Sequence, residues 1–134
     1  MTRFTGINME NSEDLELVRY RPGGEHKPHV DQYETEDEME GVDPLYGNRF
    51  AQGLIFLNKP FLGGNFVLPM LGVSVVPRVG DMVVWYNTDS TGHLTHRSFH
   101  GGCKVYAGHK VAGALVSLVL DQKRAQCLLW QGKT

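Results

Sequence analysis

One stretch decides the fold: Tyr20-Arg21-Pro22-Gly23-Gly24-Glu25-His26-Lys27-Pro28-His29-Val30-Asp31. It ends with an imidazole, His29, and a carboxylate, Asp31, two positions apart. Because side chains alternate between the two faces of a β-strand, these two side chains would lie on the same face. If that face lines the inside of a barrel, both side chains can bind one metal ion.

Two ligands do not complete a metal site, and the chain offers His100 as the third. Two histidines and one carboxylate form the facial triad that leaves three coordination positions open on Fe(II). His96 competes for this role, since it shares the same predicted strand end. We prefer His100 because it stands ten residues before Lys110, whereas His96 would leave that lysine at an unexplained spacing.

Lys110 is followed by the apolar run from Val111 to Leu115. A lysine is usually solvated, but an ammonium in an apolar strand needs an anionic partner. From a strand beside the metal, it could reach a dicarboxylate bound to the same ion. Tyr20 could point inward and form a hydrogen bond with that anion, or it could be an ordinary aromatic residue at a strand end.

The composition suits one globular domain of residues 1–134, with its core in residues 15–120. The 134 residues are 41% hydrophobic and include 16 glycines, which favours a turn-rich fold over a helical bundle. The net charge of -2 gives no electrostatic case for binding nucleic acid. The apolar runs are shorter than the roughly 20 residues of a membrane span, and no signal peptide is visible in this chain.

Short apolar runs separated by glycine and proline turns predict about eight strands. We place them at 15–20, 28–33, 49–58, 65–69, 73–76, 82–86, 104–107 and 111–120. The last run is long enough that a helix is an alternative. Within these strands, Phe56 and Trp85 are interpreted as core residues. Many short strands of this kind are typical of an all-β barrel or jelly roll.

Residues 34–44 carry six acidic side chains directly after the predicted metal-binding strand. Such a run usually forms a solvated loop. Its position also allows a second role, as a lid over the metal.

Several motifs in this order resemble one family. They are Tyr20-x-Pro-Gly-Gly-x-x-x-Pro-His29-x-Asp31, Gly47-Asn48-Arg49, Phe56-Leu57-Asn58, Gly63-Gly64, Pro77-x-x-Gly80-x-x-Val83-x-Trp85, His100-x-x-Cys103 and Gly108-x-Lys110. The chain is similar, from about Phe4 to Lys110, to the catalytic domain of prolyl 4-hydroxylases, which are 2-oxoglutarate- and Fe(II)-dependent dioxygenases. This resemblance implies a mainly β, double-stranded β-helix (jelly-roll) fold. It also implies a domain that is incomplete at its N-terminus, without the family's usual helical support.

The resemblance assigns a role to each candidate residue. His29, Asp31 and His100 would bind Fe(II), Lys110 would pair with the far carboxylate of 2-oxoglutarate, and Tyr20 would form a hydrogen bond with it. The implied reaction uses O2 and L-ascorbate, converts 2-oxoglutarate to succinate, and hydroxylates proline in a collagen-like or other polypeptide. The groove for that polypeptide would be roofed by the loops at 34–46 and 59–63.

The same resemblance has implications for disulfide bonding, cellular compartment and partner subunits. It implies that Cys103 pairs with Cys127 in a disulfide, that the protein works in the lumen of the endoplasmic reticulum, and that a partner subunit can be involved. An oxidised pair would agree with that compartment.

Two other functions remain open from the sequence. A catalytically inactive barrel could serve as a binding or structural module, although all four residues His29, Asp31, His100 and Lys110 are present. A cupin-like barrel could hold another metal without 2-oxoglutarate, but it would have no need of Lys110 and Tyr20.

Overall fold

The computed structural model describes residues 1–7, 9, 12–35, 37–40 and 47–118. In this part of the chain the fold is mainly β, with a four-residue helix α1 (Thr2–Thr5) before the first strand. Ten strands follow: β1 (Glu16–Tyr20), β2 (His26–His29), β3 (Arg49–Asn58), β4 (Leu62–Gly63), β5 (Phe66–Leu68), β6 (Val73–Val75), β7 (Met82–Tyr86), β8 (His100–Gly102), β9 (Val105–Ala107) and β10 (Lys110–Leu118). No helix among these residues is long and apolar enough to cross a membrane.

The strands form two four-stranded antiparallel sheets and one short pair. The larger sheet has the order β1-β10-β3-β7, the smaller sheet has the order β2-β8-β5-β6, and β4 pairs with β9. Consecutive strands are repeatedly separated by a strand from elsewhere in the chain, which distinguishes this topology from a simple meander. The prediction of a mainly β jelly roll is confirmed.

One core joins the two large sheets. Phe56 of β3, Trp85 of β7 and Ala112 of β10 pack with Phe66 and Leu68 of β5. The two aromatic residues that we interpreted as core, Phe56 and Trp85, are both buried in this cluster. Burying apolar side chains between the sheets is the main stabilising term of such a fold.

The last strand settles the choice between a strand and a helix. β10 pairs with β1 on one side and with β3 on the other, so it is a central strand of the larger sheet. Its inward positions repeat with period two at Lys110, Ala112, Ala114 and Val116, which all line the same cavity. Residues 119 and 120 of the predicted strand lie outside the described part of the chain.

Two predicted boundaries near the site are wrong. The strand expected at 28–33 ends at His29, so Asp31 lies beyond it. The partner strand β8 is only three residues long and offers no pairing partner past His100. Before β8, the segment that we read as part of a strand end forms a 3-10 turn, His96–Ser98, because the Thr95 hydroxyl accepts a hydrogen bond from the amide of Arg97.

Candidate metal centre

Three side chains converge where β2 meets β8. His29, the last residue of β2, is the register partner of His100, the first residue of β8. Asp31 lies between the two imidazoles, with its Oδ1 3.1 Å from Nε2 of His29 and its Oδ2 3.1 Å from Nε2 of His100. The ligand atoms of the three side chains all lie within 4.8 Å of one another, close enough to bind one metal ion.

Backbone carbonyl groups orient both imidazoles. The Nδ1 of His29 lies 2.7 Å from the carbonyl oxygen of Lys27, and the Nδ1 of His100 lies 2.8 Å from that of Ser98. Since a carbonyl oxygen can only accept, each Nδ1 is the protonated donor. In the neutral rings, both Nε2 lone pairs therefore point toward Asp31, the arrangement found in metal-binding histidines.

The carboxylate of Asp31 is set up to hold a cation. Burial acts to raise the pKa of Asp31, but the imidazoles of His100 and His29 outweigh it and hold this pKa well below its usual range. Contact with Asp31 in turn raises the pKa of His29. Oδ2 of Asp31 is buried and has no hydrogen-bond partner of good geometry among the described residues. A metal ion among these three ligands would satisfy that oxygen and both lone pairs.

Aromatic side chains enclose the third ligand. The ring of His100 lies 4.5 Å from that of Trp85 and 5.7 Å from that of Phe66, measured between ring centroids. These neighbours come from the larger sheet and from β5, so the hydrophobic core fixes the ring of His100. His96, the competing candidate, is exposed in the 3-10 turn.

Lys110 begins β10 and is only 2% exposed. Its Nζ donates a hydrogen bond to the carbonyl oxygen of Gly64 at 3.1 Å. The same nitrogen lies 5.4 Å from the ring centroid of Tyr20 and 5.7 Å from that of Phe56. Burial lowers the pKa of Lys110, and no carboxylate in the described part of the chain forms an ion pair with it.

Lys110 lies on a different sheet from His100, which differs from our expectation. We placed it on a strand neighbouring that of His100, but β10 belongs to the larger sheet and β8 to the smaller one. Lys110 therefore reaches the cavity from the facing sheet. The spacing in the sequence did not indicate this difference. Only the short strand β9 lies between β8 and β10 along the chain, so the two strands were expected to be neighbours.

Tyr20 ends β1 and lines the same cavity. Its hydroxyl lies 3.2 Å from Nδ1 of His26, and burial raises the pKa of its phenol. The ring of His26 stacks on His29 at 4.2 Å between centroids. Tyr20 thus lies close both to the ammonium of Lys110 and to His26, which stacks on His29.

The candidate residues face one cavity of about 650 Å³ between the two large sheets. It contains the His29, Asp31 and His100 cluster together with Tyr20 and Lys110. Glu34 and Glu38, from the segment that we considered as a lid, also line it. The remainder of that segment lies partly outside the described residues, and residues 59–63, all described, are not in the cavity wall.

Sequence reasoning missed four polar side chains of this cavity. Arg49 forms a two-point ion pair with Glu13, at 2.6 and 3.0 Å, and Gln32 and Gln52 are buried. Gln52 could have been found, since it lies four residues before the buried Phe56 and so shares its face of β3. Arg49 stands in the Gly47-Asn48-Arg49 motif without an assigned role, and no local pattern marks Glu13 and Gln32.

The disulfide between Cys103 and Cys127 stays a prediction. Cys103 is exposed at the turn after β8, and Cys127 lies outside the described residues.

Comparison with known proteins agrees with this geometry. Residues 15–115 match the 2OG-Fe(II) oxygenase superfamily. The chain is 35% identical over 108 residues to prolyl 4-hydroxylase subunit alpha-1 of Homo sapiens, covering 80% of this chain and 20% of that protein. It is 35% identical over 107 residues to prolyl 4-hydroxylase subunit alpha-2 of Caenorhabditis elegans, with the same coverage. The chain thus spans about a fifth of the length of the curated relatives it matches.

Solved structures show the same architecture. The 2OG complex of a viral collagen prolyl hydroxylase from Paramecium Bursaria Chlorella virus-1 superposes with a TM-score of 0.69 and 26% identity, covering 82% of this chain and 60% of that one. A Pseudomonas putida prolyl-4-hydroxylase superposes with a TM-score of 0.57 and 17% identity, over 87% of this chain and 56% of that one. At this lower identity the second likeness concerns the fold alone.

Proposed function

Because this chain belongs to the 2OG-Fe(II) oxygenase superfamily, we propose that it is a 2-oxoglutarate-dependent dioxygenase that hydroxylates proline in a polypeptide. One observation carries the proposal: three side chains with metal-binding geometry share a cavity with a buried ammonium that has no ion-pair partner among the described residues. A metal site alone would not need Lys110. A cation of this kind is expected where an anionic co-substrate must be held beside the metal.

In this proposal His29, Asp31 and His100 hold Fe(II). Their donor set of two imidazoles and one carboxylate is the one that leaves three coordination positions open on this metal. With 2-oxoglutarate and O2, the bound iron supplies the oxidising chemistry that couples conversion of 2-oxoglutarate to succinate with hydroxylation of a C–H bond. The carbonyl groups of Lys27 and Ser98 keep both rings in the metal-binding tautomer.

Lys110 and Tyr20 hold 2-oxoglutarate in this proposal. The ammonium of Lys110 pairs with the carboxylate far from the metal, and the Tyr20 hydroxyl donates a hydrogen bond to the same co-substrate. Their positions support these roles, since the Lys110 Nζ lies 5.4 Å from the Tyr20 ring. Neither residue transfers a proton in the reaction. Both orient the co-substrate, and the aromatic residues around His100 exclude water.

Proline as the hydroxylated residue is supported by the relatives, which are prolyl 4-hydroxylases. We treat residues 15–120 as the core of one catalytic domain, which agrees with the 15–115 span of the superfamily match. By the resemblance to collagen-type enzymes, the proposal extends to L-ascorbate as reductant and to the lumen of the endoplasmic reticulum as compartment. The relatives are alpha subunits by name, which supports a partner subunit for this chain.

The proposal is tested by measuring succinate release from 2-oxoglutarate by the purified chain. We expect release that requires Fe(II) and O2 and that increases when a proline-rich peptide is added. Mass spectrometry should find one added oxygen atom on a proline of that peptide. Binding of the metal and of the peptide without any succinate would instead support an inactive binding module.

A further inference from the structure

Two buried glutamines line the cavity without a hydrogen-bond partner. Gln52 is 6% exposed and Gln32 is 7% exposed, and both belong to the cavity wall. Neither side-chain amide forms a hydrogen bond with any residue in the described ranges, whereas the amide of Asn48 pairs with the backbone of Tyr33 and that of Asn87 donates to the carbonyl oxygen of Arg49. The amide atoms are not among the fully buried polar atoms that lack a partner, so they are reached from the cavity and can pair with a ligand there.

Gln52 stands away from the proposed 2-oxoglutarate site. It shares the inward face of β3 with Leu54 and Phe56, and Phe56 is the member of that row beside Lys110. At the rise of an extended strand, the four residues between Phe56 and Gln52 span about 13 Å. A small dicarboxylate that pairs with Lys110 is therefore too short to reach the side-chain amide of Gln52 as well.

The neighbours of Gln52 connect it to the metal centre through Trp85. It is the register partner of Trp85, whose ring lies 4.5 Å from that of His100. On its other side it pairs with Val116, whose carbonyl oxygen accepts a hydrogen bond from the amide of Glu13. Gln32 directly follows the candidate ligand Asp31. The lining of the cavity thus extends from the metal-binding cluster to two primary amides that have no hydrogen-bond partner among the described residues.

The chemistry of a primary amide indicates which chemical groups of a ligand Gln52 and Gln32 can bind. Each glutamine offers both an N–H donor and a carbonyl acceptor. A peptide group offers the complementary acceptor and donor. A substrate in extended conformation presents such groups at regular intervals, and it can pair with them whatever side chains it carries.

We propose that Gln52, with Gln32, forms a substrate-recognition site that hydrogen-bonds to main-chain peptide groups of the polypeptide substrate beside the hydroxylated residue. This inference rests on the proposed function, because it deepens the substrate specificity of the same cavity. Gln52 is a specificity-determining residue in this scheme. It does not bind the metal or 2-oxoglutarate.

The test replaces Gln52 with methionine, which keeps the length of the side chain and removes both hydrogen-bonding groups. Leu57→Met, at an exposed position of the same strand, is the matched control. We expect Gln52→Met to raise KM for a proline-rich peptide about tenfold or more. Its kcat, its KM for 2-oxoglutarate and its affinity for Mn(II) should stay at the wild-type values, and Leu57→Met should change none of them.

A second measurement does not depend on turnover. Binding of the same peptide to the Mn(II)-loaded protein with 2-oxoglutarate, under nitrogen, should be weaker for Gln52→Met by the same factor. Peptides that keep the proline but carry different neighbouring side chains should all show that factor, because the proposed contacts are to the main chain. A factor that changes with the neighbouring side chains would overturn the proposal.

The remaining outcomes separate this inference from the proposed function. Unchanged peptide KM and Kd in Gln52→Met would overturn the inference and leave the function standing. A lowered unfolding temperature with weaker 2-oxoglutarate binding would also overturn it, since Gln52 would then be a packing partner of Trp85, whose Nε1 is buried without a hydrogen bond. Peptide binding that depends on Gln52 without hydroxylation would support the inference and contradict the function. Absence of peptide binding by the wild-type protein would overturn the inference.

Discussion

The ammonium of Lys110 donates to the carbonyl oxygen of Gly64 at 3.1 Å, and no other hydrogen bond joins it to the described residues. A neutral carbonyl group compensates only part of the cost of burying a charge. The two remaining N–H groups of the ammonium are therefore available to a ligand. This site is preorganised for a carboxylate, which would supply both the missing charge and the missing acceptors.

Removal of this ammonium should weaken 2-oxoglutarate binding without affecting the metal. Loss of one partner from a buried ion pair costs about 3 to 5 kcal/mol. Lys110→Ala should therefore lower the apparent affinity for 2-oxoglutarate by roughly two to three and a half decades. The measurement is a calorimetric titration of 2-oxoglutarate into wild-type and variant protein that hold equal amounts of iron.

Lys104→Ala provides the control, because Lys104 is exposed and outside the cavity wall. We expect wild-type affinity for 2-oxoglutarate in this variant. Equal affinities in Lys110→Ala and the wild type would mean that the co-substrate has been assigned to the wrong part of the cavity.

The lowered pKa of Lys110 predicts a dependence of 2-oxoglutarate affinity on pH. Burial lowers this pKa below its usual 10.5 in the free protein, whereas a bound carboxylate raises it again. Between these two pKa values the complex holds more protons than the free protein, so affinity should fall as pH rises, by up to about tenfold per pH unit. Below the lowered pKa the affinity should be constant.

Lys110→Arg separates this effect from other alkaline changes, because a guanidinium keeps its charge throughout that range. Its affinity for 2-oxoglutarate should be weaker than that of the wild type near neutral pH and nearly independent of pH above it. The same decline with pH in both proteins would exclude Lys110 as the titrating group.

Substitution of His100 and substitution of His96 should have opposite effects on metal binding. His100 is buried with its Nε2 directed at Asp31, and His96 is exposed in the preceding 3-10 turn. His100→Ala should abolish binding of Fe(II) or Mn(II), while His96→Ala should retain most of it. Metal titration followed by fluorescence or calorimetry distinguishes them, and the reverse pattern would refute the proposed ligand set.

The sequence predicted those parts of the site that depend on local periodicity. Phe56 and Trp85 followed from the apolar strands, and the jelly-roll fold followed from their number and spacing. Asp31 was expected on the same strand as His29, but the strand ends at His29 because its partner β8 is short. Strand ends of this kind depend on pairing with distant residues, which periodicity does not report.

Contacts between residues that are distant in the sequence could not be predicted from local patterns either. The pairing of Arg49 with Glu13 joins residues 36 positions apart, and Gln32 is buried although it lies outside any strand. Lys110 was expected on a strand neighbouring that of His100, but β10 belongs to the larger sheet and β8 to the smaller one. Non-local topology, and not residue chemistry, limited the prediction.

The last prediction concerns the close approach of β2 and β8 at Gly101. A Cβ at this position would lie 2.9 Å from the carbonyl oxygen of His26 and 3.0 Å from Cα of Pro28, both backbone atoms of β2. Gly101→Ala must therefore push the two strands apart, and these strands carry His29 and His100. Overpacking of this kind costs about 1 to 3 kcal/mol. We expect metal affinity to fall by about tenfold or more.

Gly102→Ala is the matched control, because its Cβ would meet the flexible Nζ of Lys110 at 3.4 Å and would stay at least 3.7 Å from the atoms of His26, an ordinary van der Waals distance. This variant should keep wild-type metal affinity and lose affinity for 2-oxoglutarate, since the added methyl group crowds the ammonium. Parallel titrations of Mn(II) and of 2-oxoglutarate into both variants measure the two effects separately. If Gly101→Ala bound metal as tightly as the wild type, the spacing of β2 and β8 would not determine the metal-binding geometry.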